Sequence, residues 1–301
     1  MAGSTGQVLT SLVVNLVIAA SKGVAAVITG SGAMLAETIH SFADCANQGL
    51  LLFGIKQAQR PPTPTHPLGH GRALYFWSFM VALLLFSGGG VFSIYEGLHK
   101  IQHPEAVDDI LAGVIVLGLA IALEGYATIG NLREMKARRG ATPLFRYLRE
   151  TKDSDLVVVF GENAAAVLGL VLAMGALVMA KTTGDGRWDG AGSLAVGVVL
   201  VAVAVFLAKE IKSLLVGESA DPTIEAAVKQ LAADDPQIEG VLRVLTIQQG
   251  PGEVVVAMKL KMKPGLTTGG SLCAAINGFE ARLQAARPEI KWSFIEPDVA
   301  D

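Results

Sequence analysis

Six apolar stretches constrain this 301-residue chain more than any other feature: each is near or above the roughly 20 residues a helix needs to cross a bilayer core. They run over Gln7–Thr29, Gly32–Ile55, Ala73–Leu98, Ile110–Gly130, Leu156–Ala180 and Gly190–Ala208. Only 17% of residues are charged and 51% are hydrophobic, against about 25% charged in soluble domains. The first charge is Lys22, with no basic segment before the apolar run, so the first stretch is expected to stay as a span rather than be cleaved as a signal. The second stretch returns antiparallel after the short turn Thr29-Gly30-Ser31-Gly32, which is why it counts as a span despite its polarity.

That polarity is concentrated in Leu35–Gln48, LAETIHSFADCANQ. His40 and Asp44 are four apart and share a helix face, with Glu37 close to the same stripe. Ionisable groups at that depth cost about 2.5–3.5 kcal/mol each on insertion scales, which points to use rather than accident. Neutral imidazole with carboxylate oxygens suits zinc, cobalt, iron or manganese. Ligands must lose protons to bind metal, so metal and protons compete for the same groups. His40, with an unperturbed value of about 6.5, is the natural titrating member.

Basic residues in the loops set the orientation. Lys56, Arg60 and Arg72 follow span two, and Arg133, Lys136, Arg138, Arg139, Arg146, Arg149 and Lys152 follow span four. The other side has Lys100, Lys181 and Arg187, so ten against three puts both termini in the cytoplasm. The run Arg133–Arg139 is read as a solvated charge run that sets topology.

The pattern changes after Lys212. Pro222–Asp235 has helical apolar spacing, and Glu239–Gln249 and Val254–Lys263 read as strands around the turn Gly250-Pro251-Gly252. Ser271–Ala286 is a helix and Ile290–Ile295 a last strand, an αββαβ order that implies a small cytosolic α+β domain. Residues 1–214 thus form a transmembrane domain and 215–301 a second domain, modest enough in core to gain from burial against a twin.

The run Asn15–Gly54 resembles the first two helices of the cation diffusion facilitators. HPLGHGR (His66–Arg72) looks like that family's loop before the third helix, and GSLAVG (Gly192–Gly197) and KSLLVGE (Lys212–Glu218) are similar to its sixth helix and exit. The resemblance covers nearly the whole chain and implies a homodimeric exporter of divalent metal, usually zinc, in exchange for protons, with a ferredoxin-like cytosolic tail. The family's central site takes two ligands from helix two and two from helix five, each pair four apart. His40 and Asp44 match the first pair, and Glu162 matches the first member of the second. The last position is Ala166, which coordinates nothing. Asn163, water or Glu37 are candidates to complete the set, and the metal stays open among zinc first, then manganese, iron, cobalt and nickel. His66 and His70 match a peripheral site of some relatives, but the acidic residue that site also uses is Thr63 here.

Alternatives stay open for several residues. Glu124 is either a proton relay or a partner for a neighbouring helix, and Lys22 pairs with an acid or snorkels towards an interface. Gly88-Gly89-Gly90 reads as close helix packing, within the protomer or across a dimer. Cys45 and Cys273 suggest no disulfide framework. A net charge of −3 argues against nucleic acid as a partner. No HExxH or nucleophile motif suggests an enzyme. The expected partners are a second copy of the chain, the lipid bilayer, metal ions and protons, in the inner membrane of a bacterium. The competing reading is a membrane sensor or scaffold that binds metal without moving it.

Overall fold

A computed structural model describes residues 2–29, 32–104, 110–265 and 268–300, with side chains omitted at 2–5, 7, 22, 25, 26, 28, 29, 32–40, 110 and 112. The expected turn at Gly30-Ser31 and the side chains of Lys22, Glu37 and His40 therefore lie outside the described residues. The chain divides into two compact units. One comprises the residues up to Lys56 with Leu74–Leu148 and Asp153–Lys212; the other comprises Gln57–Ala73, Arg149–Lys152 and Ser213 onward.

The first unit is helical. Helix α1 covers Ala2–Thr29 and α2 covers Gly32–Ala58, each about 40 Å long at 1.5 Å per residue. The third span is α3 (Arg72–Leu84), a π-helical turn (Leu85–Val91) and α4 (Phe92–Gln102). Then follow α5 (Ile110–Arg139), α6 (Leu144–Glu150), α7 (Ser154–Thr183) and α8 (Arg187–Val216). Among the described residues, four spans are long and apolar enough to cross a membrane: Arg72–Gln102, Gly113–Arg139, Ser154–Thr183 and Arg187–Val216. Helix α1 contributes a shorter apolar stretch, Val8–Ser21. Large apolar side chains such as Val17, Ile115, Leu168, Val171 and Val198 face outward, the inverse of a soluble bundle and the surface that lipid tails cover.

Small residues let these helices approach closely. A Cβ on Gly90 would meet Val201 Cγ2 at 2.6 Å, and one on Gly197 would sit 2.9 Å from Gly90 O. One turn-pair further along, a Cβ on Gly97 would lie 2.5 Å from Leu194 N, and one on Gly190 would lie 2.8 Å from Gly97 O. The third span and α8 thus form a backbone-to-backbone seam with glycines seven apart on each side. Gly89 and Gly90 serve packing within the protomer, whereas Gly88 faces open space. Helix α1 lays Val14 and Ile18 against Leu123 and Ala127 of α5.

Two expectations need correction. Helix α5 does not stop at Gly130, because NLREMKARR contains no breaker; it ends where Gly140 takes a left-handed φ of +55°. The basic run is therefore helical rather than a free loop, and it is not simply solvated. Arg138 is held by Glu134 at 2.9 Å, one turn back, and by Asp153 at 2.7 Å. The short helix α6 lies between the fourth and fifth spans, where the sequence pattern marks only a basic loop.

The second unit has the order α9 (Pro222–Ala233), β1 (Ile238–Gly250), β2 (Glu253–Met262), α10 (Gly269–Ala286), β3 (Ile290–Pro297). Strand β2 is central, antiparallel to β1 and parallel to β3, and α10 makes the crossover that parallel neighbours require. Asp221 caps α9 by accepting from Thr223 N at 2.8 Å, with Pro222 in the first turn. Val254, Val256, Met258 and Leu260 of β2 alternate onto one face and pack under Ile224 and Val228 of α9 and Phe279 and Leu283 of α10. The loop 57–73 packs within this unit: a Cβ on Gly71 would sit 2.5 Å from Glu253 Oε2 and 2.8 Å from Gln249 O.

Candidate metal centre

Within the helical unit, one cavity of about 50 Å³ is lined from six elements. Helix α1 supplies Asn15, α2 Asp44 and Gln48, α5 Glu124, and α7 Glu162, Asn163 and Ala166; Leu85 of the π-helical turn and Leu200 of α8 add apolar wall. The helical repeat explains the grouping. Asp44 and Gln48 are four apart on α2, and Glu162 and Ala166 are four apart on α7, so each pair presents one stripe inward.

Three carboxylates from three helices therefore line one small space. Glu124 is 6% exposed and Asn163 2%. Asn47 hydrogen-bonds the Glu162 carboxylate, while Glu162 Oε2 is buried without a hydrogen-bond partner among the described residues. A second chain of hydrogen bonds ties three helices together. Gln48 Nε2 donates to Ser11 Oγ at 2.9 Å, and Ser11 Oγ donates to Asn163 Oδ1 at 2.9 Å. The amide oxygen of Asn163 is thus engaged, and its Nδ2 is buried without a partner among the described residues. Gln48 shows the opposite pattern: its nitrogen is used and its Oε1 has no partner among the described residues.

Of the residues expected at a central site, the structure brings Asp44, Glu162 and Asn163 together. Among the described residues, no three His, Cys, Asp or Glu side chains cluster closely enough to hold one ion. The side chains of His40 and Glu37 are outside that description, although both residues belong to α2. Sequence reasoning weighed Glu124 without placing it here, and gave no role to Asn15, Ser11, Asn47 or Gln48. The available signal was the same four-residue spacing: Gln48 extends the stripe of His40 and Asp44, and Ser11 and Asn15 form a polar stripe on α1.

In the second unit, the His66 and His70 rings lie 4.5 Å apart between centroids, tilted by 32°. Thr63 and His66 form a small antiparallel bridge, with Thr65 Oγ1 3.1 Å from His66 Nδ1. No acidic or cysteine side chain joins the two rings in a metal-sized cluster among the described residues. Cys45 and Cys273 are free thiols.

A model of the cation efflux transmembrane domain matches residues 8–216. The chain belongs to the cation diffusion facilitator family. This cation diffusion facilitator is 32% identical over 256 residues to the mitochondrial proton-coupled zinc antiporter of Xenopus laevis, covering 84% of the chain and 46% of that protein. It is 29% identical over 227 residues to metal tolerance protein C4 of Arabidopsis thaliana, covering 74% and 50%. With the zinc transporter ZitB of Pectobacterium atrosepticum it shares 25% identity over 249 residues, covering 82% and 73%. The chain spans about half the length of the first two relatives. As a cation diffusion facilitator it is an integral membrane protein of a transporter family.

Proposed function

We propose that the protein exports divalent metal, zinc first among the candidates, from the cytoplasm in exchange for protons. The observation that carries this reading is the cavity lined by Asp44, Glu124 and Glu162 from three helices of the membrane unit. Carboxylates in so small a space repel one another when ionised, so they take up either a cation or protons. His40 and Asp44 of α2 and Glu162 of α7 are the proposed ligands, with Glu37 on the same helix beside them. Asn163 acts through Ser11 rather than as a ligand, since its oxygen already accepts a hydrogen bond. Manganese, iron, cobalt and nickel are the alternative cargoes, and we assign no enzymatic reaction.

The proposed setting is the inner membrane of a bacterium with both termini inside, an orientation supported by the ten-to-three distribution of basic loop residues. The C-terminal α+β unit then lies in the cytoplasm, and its job is to pair two protomers. Supporting that, the sheet face away from α9 and α10 carries exposed large apolar side chains. Leu245 and Phe294 both pair in register with Ala257, and each is 57% exposed. Ile247 continues the patch.

The test is zinc uptake into proteoliposomes under an imposed proton gradient, wild type against Asp44→Ala. Gradient-dependent flux that disappears in the variant supports the antiporter and the site together. Flux that survives in Asp44→Ala moves the site elsewhere. Silence with zinc, manganese, cobalt, iron and nickel favours a sensor or scaffold.

A further inference from the structure

The seven side chains and two apolar walls of the cavity pose a question of donor number. Helix α7 offers Ala166 where a fourth ligand is expected, and Ala166 lines the cavity with nothing but a methyl group. The missing donor has to come from another position. Glu124 is a carboxylate of the same cavity, and among the cavity's amides Gln48 is the residue that fits. It lines the same cavity, it is 1% exposed, and its Oε1 is buried without a hydrogen-bond partner among the described residues. Leaving a buried amide oxygen unpaired costs about 1–3 kcal/mol, so a partner that arrives with the substrate accounts for its persistence.

We propose that Gln48 Oε1 is an uncharged oxygen ligand of the transported cation, replacing the donor absent at Ala166. The proposal rests on the antiport reading of this cavity and deepens it. Three features support it. Gln48 follows Asp44 by one helical turn, so an ion at Asp44 is within reach of the next residue on the same stripe. Its amide is oriented by Ser11: the nitrogen donates to Ser11 Oγ at 2.9 Å, which turns the oxygen away from that contact and leaves it free. Ser11 in turn has one proton and gives it to Asn163 Oδ1, so the direction of the chain selects the glutamine oxygen, not the asparagine oxygen, as the free one.

An amide oxygen does not titrate, which changes the exchange chemistry. It holds a divalent ion without competing for a proton, so a site with Gln48 returns one proton fewer per ion than a site with a fourth carboxylate. It is also a hard oxygen donor, which narrows the preference for zinc over manganese relative to an all-imidazole or thiolate set.

The experiment measures zinc and manganese dissociation constants of the full-length purified protein with a chelator dye, together with flux in proteoliposomes across pH 6 to 8. Three variants are compared: Gln48→Leu, Gln48→Glu and Asn163→Leu. The expectation is that Gln48→Leu weakens zinc binding at least about tenfold. Its pH dependence should be unchanged in shape, since no proton is lost with the amide. Gln48→Glu keeps the side-chain length, so it shows whether a failure is one of folding. It should bind zinc tightly again at pH 8, with a steeper loss towards pH 6. Zinc affinity unaltered in Gln48→Leu overturns the proposal. So does a loss in Asn163→Leu with Gln48→Leu unaffected, which would assign the ligand to Asn163. Wild-type binding without flux refutes the antiport reading alone, and the Gln48 comparison still decides by binding. A wild type that binds neither metal overturns both.

Discussion

The glycine seam between the third span and α8 yields the sharpest stability prediction. Gly97→Ala adds a Cβ at 2.5 Å from Leu194 N, 2.8 Å from Gly190 O and 2.9 Å from Leu194 Cα. Non-bonded carbon contacts settle near 3.5 Å, so the two backbones must separate by about 1 Å. All three neighbours are backbone atoms that cannot swing aside as a side-chain tip would. Overpacking of this kind costs about 1–3 kcal/mol, while alanine gains back about 0.8–1 kcal/mol of helix propensity. A net loss of up to about 2 kcal/mol is expected. Gly175→Ala on α7 is the matched control, because a Cβ there meets nothing within 4 Å, so the same exchange should stabilise by up to about 1 kcal/mol. Unfolding of the detergent-solubilised protein, followed by the fluorescence of Trp77, Trp188 and Trp292, measures both. Gly190→Ala presses on the same contact from the other side, so the double variant should cost less than the two single losses added. Equal stability of Gly97→Ala and Gly175→Ala would refute the argument that close backbone approach holds this seam.

Two further outcomes follow from the C-terminal unit. Burial pushes the Glu253 carboxyl above its ordinary value, with Lys291 pulling the other way. A carboxyl raised in the folded state favours folding while protonated, so stability is full below the unfolded value of about 4.3 and falls as pH rises through the folded one. Glu253→Gln should flatten that loss and raise the melting temperature at pH 7; a pH profile identical to wild type would contradict this. Phe294→Asp puts a charge beside exposed apolar side chains of the sheet; if the proposed dimer pairs through this face, light scattering of the detergent-solubilised protein should show a shift to monomer, and an unchanged mass would remove that face as the interface.

Much of this protein is determined locally. Apolar runs of helical length specify the spans, and the alternation of Met258 and Leu260 with Lys259 and Lys261 specifies β2, because those periods follow from backbone geometry alone. The stripe His40–Asp44 is legible for the same reason, whereas the alanine at 166 stands out only through the family resemblance. What no local pattern contains is which helix faces which. Glu124 could have met lipid-side partners or the cavity, and only the packing of α5 beside α7 puts it with Asp44 and Glu162. Likewise, the spare oxygen of Gln48 exists because α1 brings Ser11 between α2 and α7 and its single hydroxyl proton goes to Asn163. Even the glycines divide this way: Gly88, Gly89 and Gly90 are equivalent in the sequence, yet Gly90 is pressed against Val201 while Gly88 has nothing near it. Sequence period sets the elements, and the distances between elements set their chemistry, because hydrogen bonds and ligand contacts act over about 3 Å and join residues more than a hundred positions apart.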